Sequence, residues 1–244
     1  MGLKSPGRDL AGLLHYLTAL LNCITPLYRA TGLRDSTALR RYGQPMRIAF
    51  ISTKGGSGKT TSTVHLGLAL HRTGKTLAVD ADQVTASLTS WNDQQGGSLP
   101  FTVTAMTAAG LRKGFPDLAA GYEHAVIDGP PGDLAAIRAA IMAVSVVIVP
   151  VSPTGLDLNR LRPTFEVLAE MEPVNPVEVG VLLTKVRRGT RSAREAREVL
   201  AELGYPVLDT EIPLAEAYAG SFGTAPDDLG RYADLLDELR EPVS

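Results

Sequence analysis

A doubly wound α/β domain with a mostly parallel sheet, preceded by an N-terminal helical extension, is the fold class that this 244-residue sequence predicts. Three observations predict it. From Met46 onward, short apolar runs of strand length alternate with longer segments whose apolar residues recur at helical spacing. Such alternation builds a parallel sheet with helices on both faces. The runs HAVID at 124–128 and SVVIVPV at 145–151 are apolar almost throughout, as strands covered on both faces are. With 44% hydrophobic residues, the chain can enclose a full core in one body of about 200 residues with an appendage beside it.

The appendage spans 1–45. Leucine or isoleucine stands at 10, 13, 14, 17, 20, 21, 24 and 27, which lines one face of a helix ending near Pro26. His15, Thr18 and Asn22 interrupt the run, so a membrane span is not expected. Lys4 and Arg8 precede it as they would in a signal peptide, but Asp9 intrudes and no A-x-A site follows. A basic connector with Arg29, Arg34, Arg40 and Arg41 leads to Met46, a sensible first residue for the core domain, 46–244.

From there the pattern predicts a strand at 47–52, a helix at 59–72 stopped by Gly74, and a strand at 76–80. A short strand at 101–104, a strand at 124–128, a helix around 134–143 and a strand at 145–151 follow. A helix at 156–171, a strand at 179–184, a helix at 190–203, a strand at 207–210 and two terminal helices complete the series. In such a sheet a ligand is expected off the carboxyl ends of the strands.

Net charge is −2, so any nucleic-acid binding must come from a local patch. The single cysteine, Cys23, excludes a disulfide framework and fits a reducing cytoplasmic setting.

The loop between the first strand and the first core helix reads KGGSGKTT, residues 54–61. Gly55, Gly56 and Gly58 permit backbone angles that let the amides of Ser57, Lys59, Thr60 and Thr61 curl around a phosphate at the positive end of the helix. In such a loop Lys59 reaches the β- and γ-phosphates and the Thr60 hydroxyl ligates Mg²⁺. Two more strands end in acids. Asp128 closes 124–128 before Gly129-Pro130-Pro131-Gly132, which is Walker B geometry, a carboxylate holding Mg²⁺ through water. Asp80 and Asp82 close the strand at 76–80 two residues apart, where one could orient an attacking water.

Thr53 stands where the usual phosphate-loop pattern has its first glycine, and Lys54 follows it. With KGGSGKTT, VDAD at 79–82, VIDGPPG at 126–132 and VVIVPVSPTGLDL at 146–158, the chain from Met46 onward resembles the ParA/MinD family of deviant Walker A ATPases, and within it the small ParA-type DNA segregation ATPases. The resemblance covers about 190 residues and implies a P-loop ATPase that dimerises on ATP, with Lys54 reaching the partner's nucleotide. It also implies that Lys54, Lys59 and Asp82 act in hydrolysis, that Thr60, Asp128 and Asp80 serve the metal, and that Pro213, in the turn Glu211-Ile212-Pro213, belongs to the adenine-side loop. The segment after Asp82 departs from the family: Gln83-Val84-Thr85-Ala86-Ser87 lacks the usual proline and has one residue more, which puts the switch geometry in doubt. Thr184-Lys185-Val186-Arg187 falls where a guanine-reading [NT]-K-x-D would stand, with Arg187 replacing the acid, so ATP is expected over GTP.

Arg187, Arg188, Arg191, Arg194 and Arg197 form the densest basic cluster, to which the resemblance assigns nonspecific DNA binding, salt-sensitive because it rests on phosphate contacts. A solvated, ion-paired helix face is the competing reading. The function expected first is DNA partition: an ATP dimer on the nucleoid whose hydrolysis is stimulated by a ParB-like or other DNA-bound partner. The alternatives are a related cargo-positioning ATPase and an ATP-switched DNA-binding regulator. Six acids against Arg231 and Arg240 over 227–241 argue against a basic membrane helix at the C-terminus. A lone cysteine cannot supply the cluster of the nitrogenase iron-protein branch.

Overall fold

A computed structural model describes residues 45–241, apart from Asn159 and Arg188. The extension expected over 1–45 lies outside these residues but for Pro45. Seven strands, β1 (Met46–Phe50), β2 (Thr76–Asp80), β3 (Thr102–Ala105), β4 (His124–Asp128), β5 (Val146–Val151), β6 (Glu178–Val186) and β7 (Val207–Pro213), form one sheet in the order β3-β2-β4-β1-β5-β6-β7. Every neighbouring pair is parallel. The helices are α1 (Lys59–His71), α2 (Ser87–Gln94), α3 (Ala108–Lys113), α4 (Phe115–Ala119), α5 (Leu134–Met142), α6 (Gly155–Leu158), α7 (Arg162–Met171), α8 (Arg191–Glu202), α9 (Glu216–Ala219) and α10 (Arg231–Glu238).

The connectivity places the site. β2 and β4 lie on one side of β1 and β5 on the other, so the crevice where parallel sheets take their ligands opens at the carboxyl end of β1. Register sharpens this: Phe50 pairs with Asp128, and Asp128 with Asp80, so two carboxylates leave adjacent strands at one level beside the start of the glycine-rich loop. Gly129 makes that approach possible. Its amide donates to the Phe50 carbonyl at 3.0 Å, and a Cβ there would stand 2.7 Å from the same oxygen.

α1 lies between the sheet and α10, touching β1, β2 and β4 on one side and α10 on the other. Its residues from Ser62 to Leu70 are buried all round, and the last five of them, Leu66 to Leu70, carry no polar side chain. Ile48, Phe50, Val64, Leu66, Val126, Ile148 and Tyr232 belong to the same buried cluster.

Some elements depart from the sequence reading. The helix expected over 156–171 is two, α6 and α7, because Pro163 sits in the first turn of α7, where a missing N–H costs nothing, and could not continue α6. α2, α3 and α4 were not expected. β6 and β7 are each longer than 179–184 and 207–210 suggest.

Candidate functional site

The loop from Lys54 to Gly58 joins β1 to α1 with Gly56 at φ +72° and Gly58 at φ +96°, angles that side chains rarely adopt. Gly58 is the N-cap of α1 and no side chain caps the helix, so the first-turn amides remain available to an anion. Lys59, buried, donates from Nζ to the Lys54 carbonyl at 2.9 Å, which draws the loop into a ring. Burial lowers its pKa, while the nearby charges of Asp128 and Asp82 pull the other way.

Asp128 ends β4 fully buried. Thr60 Oγ1 donates to its Oδ2 at 2.6 Å, and its Oδ1 has no hydrogen-bond partner. Burial pushes this carboxyl up to about 7, with Thr60 and Lys59 acting against the shift and Asp80 and Asp82 adding to it. A buried carboxylate oxygen without a partner is costly. One hydroxyl and one such oxygen side by side are hard donors of the kind Mg²⁺ takes when phosphates and water complete its shell. Among the described residues no group of three His, Cys, Asp or Glu could hold a metal by itself. The residues thus fit a magnesium–nucleotide pair better than a metal alone.

Asp80 and Asp82 are used differently. Asp80 Oδ2 accepts from the amide and hydroxyl of Thr89, at 2.9 and 3.0 Å, and its Oδ1 accepts from the Asp82 amide at 3.1 Å. It therefore fastens α2 to the end of β2. Asp82 accepts from the amides of Val84 and Thr85 at 3.0 and 3.1 Å and from the Thr85 hydroxyl. Burial would raise its carboxyl, but the Thr85 and Val84 donors and Lys59 outweigh this and hold it below the usual carboxylate range. The atypical segment after Asp82 is accommodated by a left-handed Ala86, φ +44°, whose amide returns to the Asp82 carbonyl at 3.0 Å just before α2 starts.

Lys54 has a partner that the sequence did not reveal. Its Nζ is ion-paired with Asp157 of α6, and Asp157 is held in turn by its own amide donating to Thr154 Oγ1 at 3.2 Å. Burial would raise Asp157, but Lys54 and Thr154 hold it low. The available signal was that PTGLDL follows an apolar strand and so puts one more acid at the ligand end of the sheet.

On the other flank of the loop, Gly58, Thr61, Pro213, Leu214, Tyr218 and Tyr232 line an apolar recess whose described lining includes no carboxylate. Pro213 thus stands beside the start of α1. His65 stacks on Tyr232 with centroids 4.9 Å apart and meets Tyr218 edge-on at 5.3 Å, which stiffens the wall.

The arginine cluster divides. Arg187 and Arg194 are exposed, and Arg191, 80% exposed, pairs with Glu195 at 2.5 Å. Arg188 lies outside the described residues. Arg197 departs from the expected open face: its guanidinium donates to Glu211 at 2.9 Å and to the carbonyls of Leu208 and Asp209, tying α8 to β7.

A parallel sheet with a glycine-rich loop on its central strand, a buried lysine at the helix start and an acid closing the adjacent strand defines a P-loop nucleotide-binding protein. Residues 48–224 match the CobQ/CobB/MinD/ParA nucleotide binding domain, and the chain belongs to that family. It is similar to the "Maintenance of carboxysome distribution protein A" of Gloeobacter kilaueensis, 32% identical over 71% of this chain and 79% of that protein. It is also similar to the protein of the same name in Halothiobacillus neapolitanus, 26% identical over 80% of this chain and 93% of that one. Among solved structures, an aspartate-to-alanine variant of Cyanothece McdA in complex with ATP superimposes with a TM-score of 0.67 at 18% identity, over 81% of this chain and 97% of the other.

Proposed function

We propose that this chain is a positioning ATPase of the ParA/MinD type: it binds ATP with Mg²⁺, pairs with a second copy, rests on DNA without sequence preference, and distributes a protein cargo as it hydrolyses ATP. The observation that carries the reading is the arrangement of buried Lys59 and Asp128 around Thr60, with one carboxylate oxygen unpartnered beside a hydroxyl. Sequence reasoning alone placed DNA partition first. The names of the relatives favour cargo positioning, and partition becomes an outcome of the test.

In this reading the amides from Gly55 to Thr61 cradle the phosphates, Lys59 exchanges the Lys54 carbonyl for phosphate oxygens, and Thr60 and Asp128 are the residues that would hold Mg²⁺. Mg²⁺, when bound, neutralises charge on the β- and γ-phosphates. Asp82 orients the attacking water after giving up the Thr85 hydroxyl, and Asp80 supports it by anchoring α2. Lys54 leaves Asp157 and reaches the partner's nucleotide. Pro213 and the aromatic wall take adenine, since no carboxylate among the described lining accepts from guanine. Arg187, Arg191 and Arg194 contact DNA phosphates. The ATP-bound dimer accordingly resides on the nucleoid in the cytoplasm. Residues 1–45 form an appendage to an ATPase body at 46–244. Among the described residues no helix is long and apolar enough to cross a membrane.

Retention on DNA, measured with ATP, with ADP and without nucleotide as salt is raised, tests the cycle. ATP-dependent retention that weakens steeply with salt is expected, and equal retention in all three states overturns the reading. Imaging the native host without this gene separates the cargoes: a displaced protein assembly supports positioning, whereas plasmid or chromosome loss with protein assemblies undisturbed returns the chain to partition.

A further inference from the structure

Two hydrogen bonds tie the carboxyl end of β6 to the phosphate loop. Thr184 Oγ1 donates to the Ser57 carbonyl at 2.9 Å, and Lys185 Nζ donates to the Gly56 carbonyl at 2.7 Å. Lys185 does so from φ +55°, a left-handed conformation that few residues other than glycine adopt. The sequence motifs give neither residue a task beyond excluding guanine.

A peptide plane is rigid and trans, so its C=O and N–H point in opposite directions. Holding the Gly56 carbonyl toward β6 turns the Ser57 amide away from β6, and holding the Ser57 carbonyl does the same for the Gly58 amide. Packing does not fix the two glycines ahead of Ser57: a Cβ on Gly55 or Gly56 would meet nothing within 4 Å. A loop rich in glycine loses much conformational entropy on ordering, and a brace that orders it beforehand lowers the cost of binding.

We propose that Lys185 is a positioning residue of the phosphate cradle, and Thr184 its neighbour in the same task. Lys185, which with Thr184 also lines the recess beside Pro213, fixes the plane between Gly56 and Ser57 from the β6 side, so that consecutive amides present themselves to the nucleotide's phosphates. The proposal rests on the nucleotide-binding reading above and adds to it how the loop is held. The strained backbone at Lys185 is the conformation that lets a strand-end side chain turn back onto the loop.

Three variants of the full chain test it: Lys185→Ala, Lys185→Arg and Lys185→Gly, each measured for ADP and ATP affinity and for nucleotide-free melting. Alanine and glycine are both expected to weaken ADP and ATP about tenfold, the size of one missing charge-assisted hydrogen bond. Arginine should bind within about threefold of wild type, since it can still donate to the Gly56 carbonyl. Glycine, free of the φ penalty, should melt no lower than alanine, which separates affinity from stability. Alanine binding within about twofold of wild type overturns the inference, as does glycine regaining the affinity alanine loses, because the backbone conformation would then be what counts. Wild type binding neither nucleotide removes the nucleotide reading itself, an outcome distinct from intact wild-type binding with an indifferent Lys185.

Discussion

The ligand end of β1, β2 and β4 and the outer face of α8 both carry clustered charges but are built in opposite ways. At the strand ends, Asp80, Asp82, Asp128 and Lys59 are buried, and each has a named partner in the loops and helix starts that follow the strands. On α8, Arg191 is 80% exposed with one neighbour on its own helix, and Arg194 is exposed. Groups fixed out of water act strongly on a ligand at short range and cost stability when unpaired. Exposed arginines act weakly and additively, and salt screens them. One region is therefore suited to a single nucleotide, and the other, in the proposed reading, meets a polyanion of indifferent sequence.

The comparison breaks most visibly at Lys59. Lys59→Ala is expected to weaken ATP binding on the order of a hundredfold or more, since the substitution removes a buried cation that makes charge-assisted hydrogen bonds. A fluorescent ATP analogue reads this directly, and near-normal affinity would place the phosphate site elsewhere. On α8, Arg191→Ala combined with Arg194→Ala should leave melting within about 0.5 kcal/mol of wild type. The same pair should flatten the salt dependence of DNA retention by close to one unit of slope for each phosphate no longer neutralised. Arg197→Ala should do the reverse, costing about 1–2 kcal/mol in denaturant unfolding with little change in salt slope, because its guanidinium serves Glu211 and two carbonyls.

A smaller effect concerns pH. Burial raises Asp128 from an ordinary carboxylate value to about 7, so between about pH 4 and pH 7 the folded chain holds a proton that the unfolded chain has lost. This contribution to the stability of the nucleotide-free protein is complete below pH 4 and disappears as pH rises through 7. Asp128→Asn, which cannot ionise, should flatten that part of the melting-against-pH curve, and an unchanged slope would mean that Asp128 does not titrate there.

The two regions also differ in how far the sequence exposed them. Asp80 and Asp128 were legible because each ends an apolar run, and a strand delivers its last residue to a fixed edge of the sheet. Asp157 was not, because the lysine it holds is 103 positions away and only folding brings α6 to the loop. The three short helices between β2 and β4 were missed because so few of their residues are buried: Leu88 and Trp91 in α2, Leu111 in α3, Phe115 and Ala119 in α4. Such sparse apolar positions give no period to count. On α8, spacing put Arg197 with Arg191 and Arg194, but spacing does not show that Glu211 on β7 stands within reach.

In the proposed cycle Lys59, Thr60 and Asp128 form one seat for a magnesium–ATP pair. Calorimetric titration of the chain with ATP, with and without Mg²⁺, and with GTP alongside, addresses it most directly. The account predicts one ATP per chain, tighter binding with Mg²⁺ that Asp128→Asn removes, and GTP at least about tenfold weaker. Absence of saturable ATP binding, or binding that neither Mg²⁺ nor the loss of the Asp128 carboxylate alters, would contradict it.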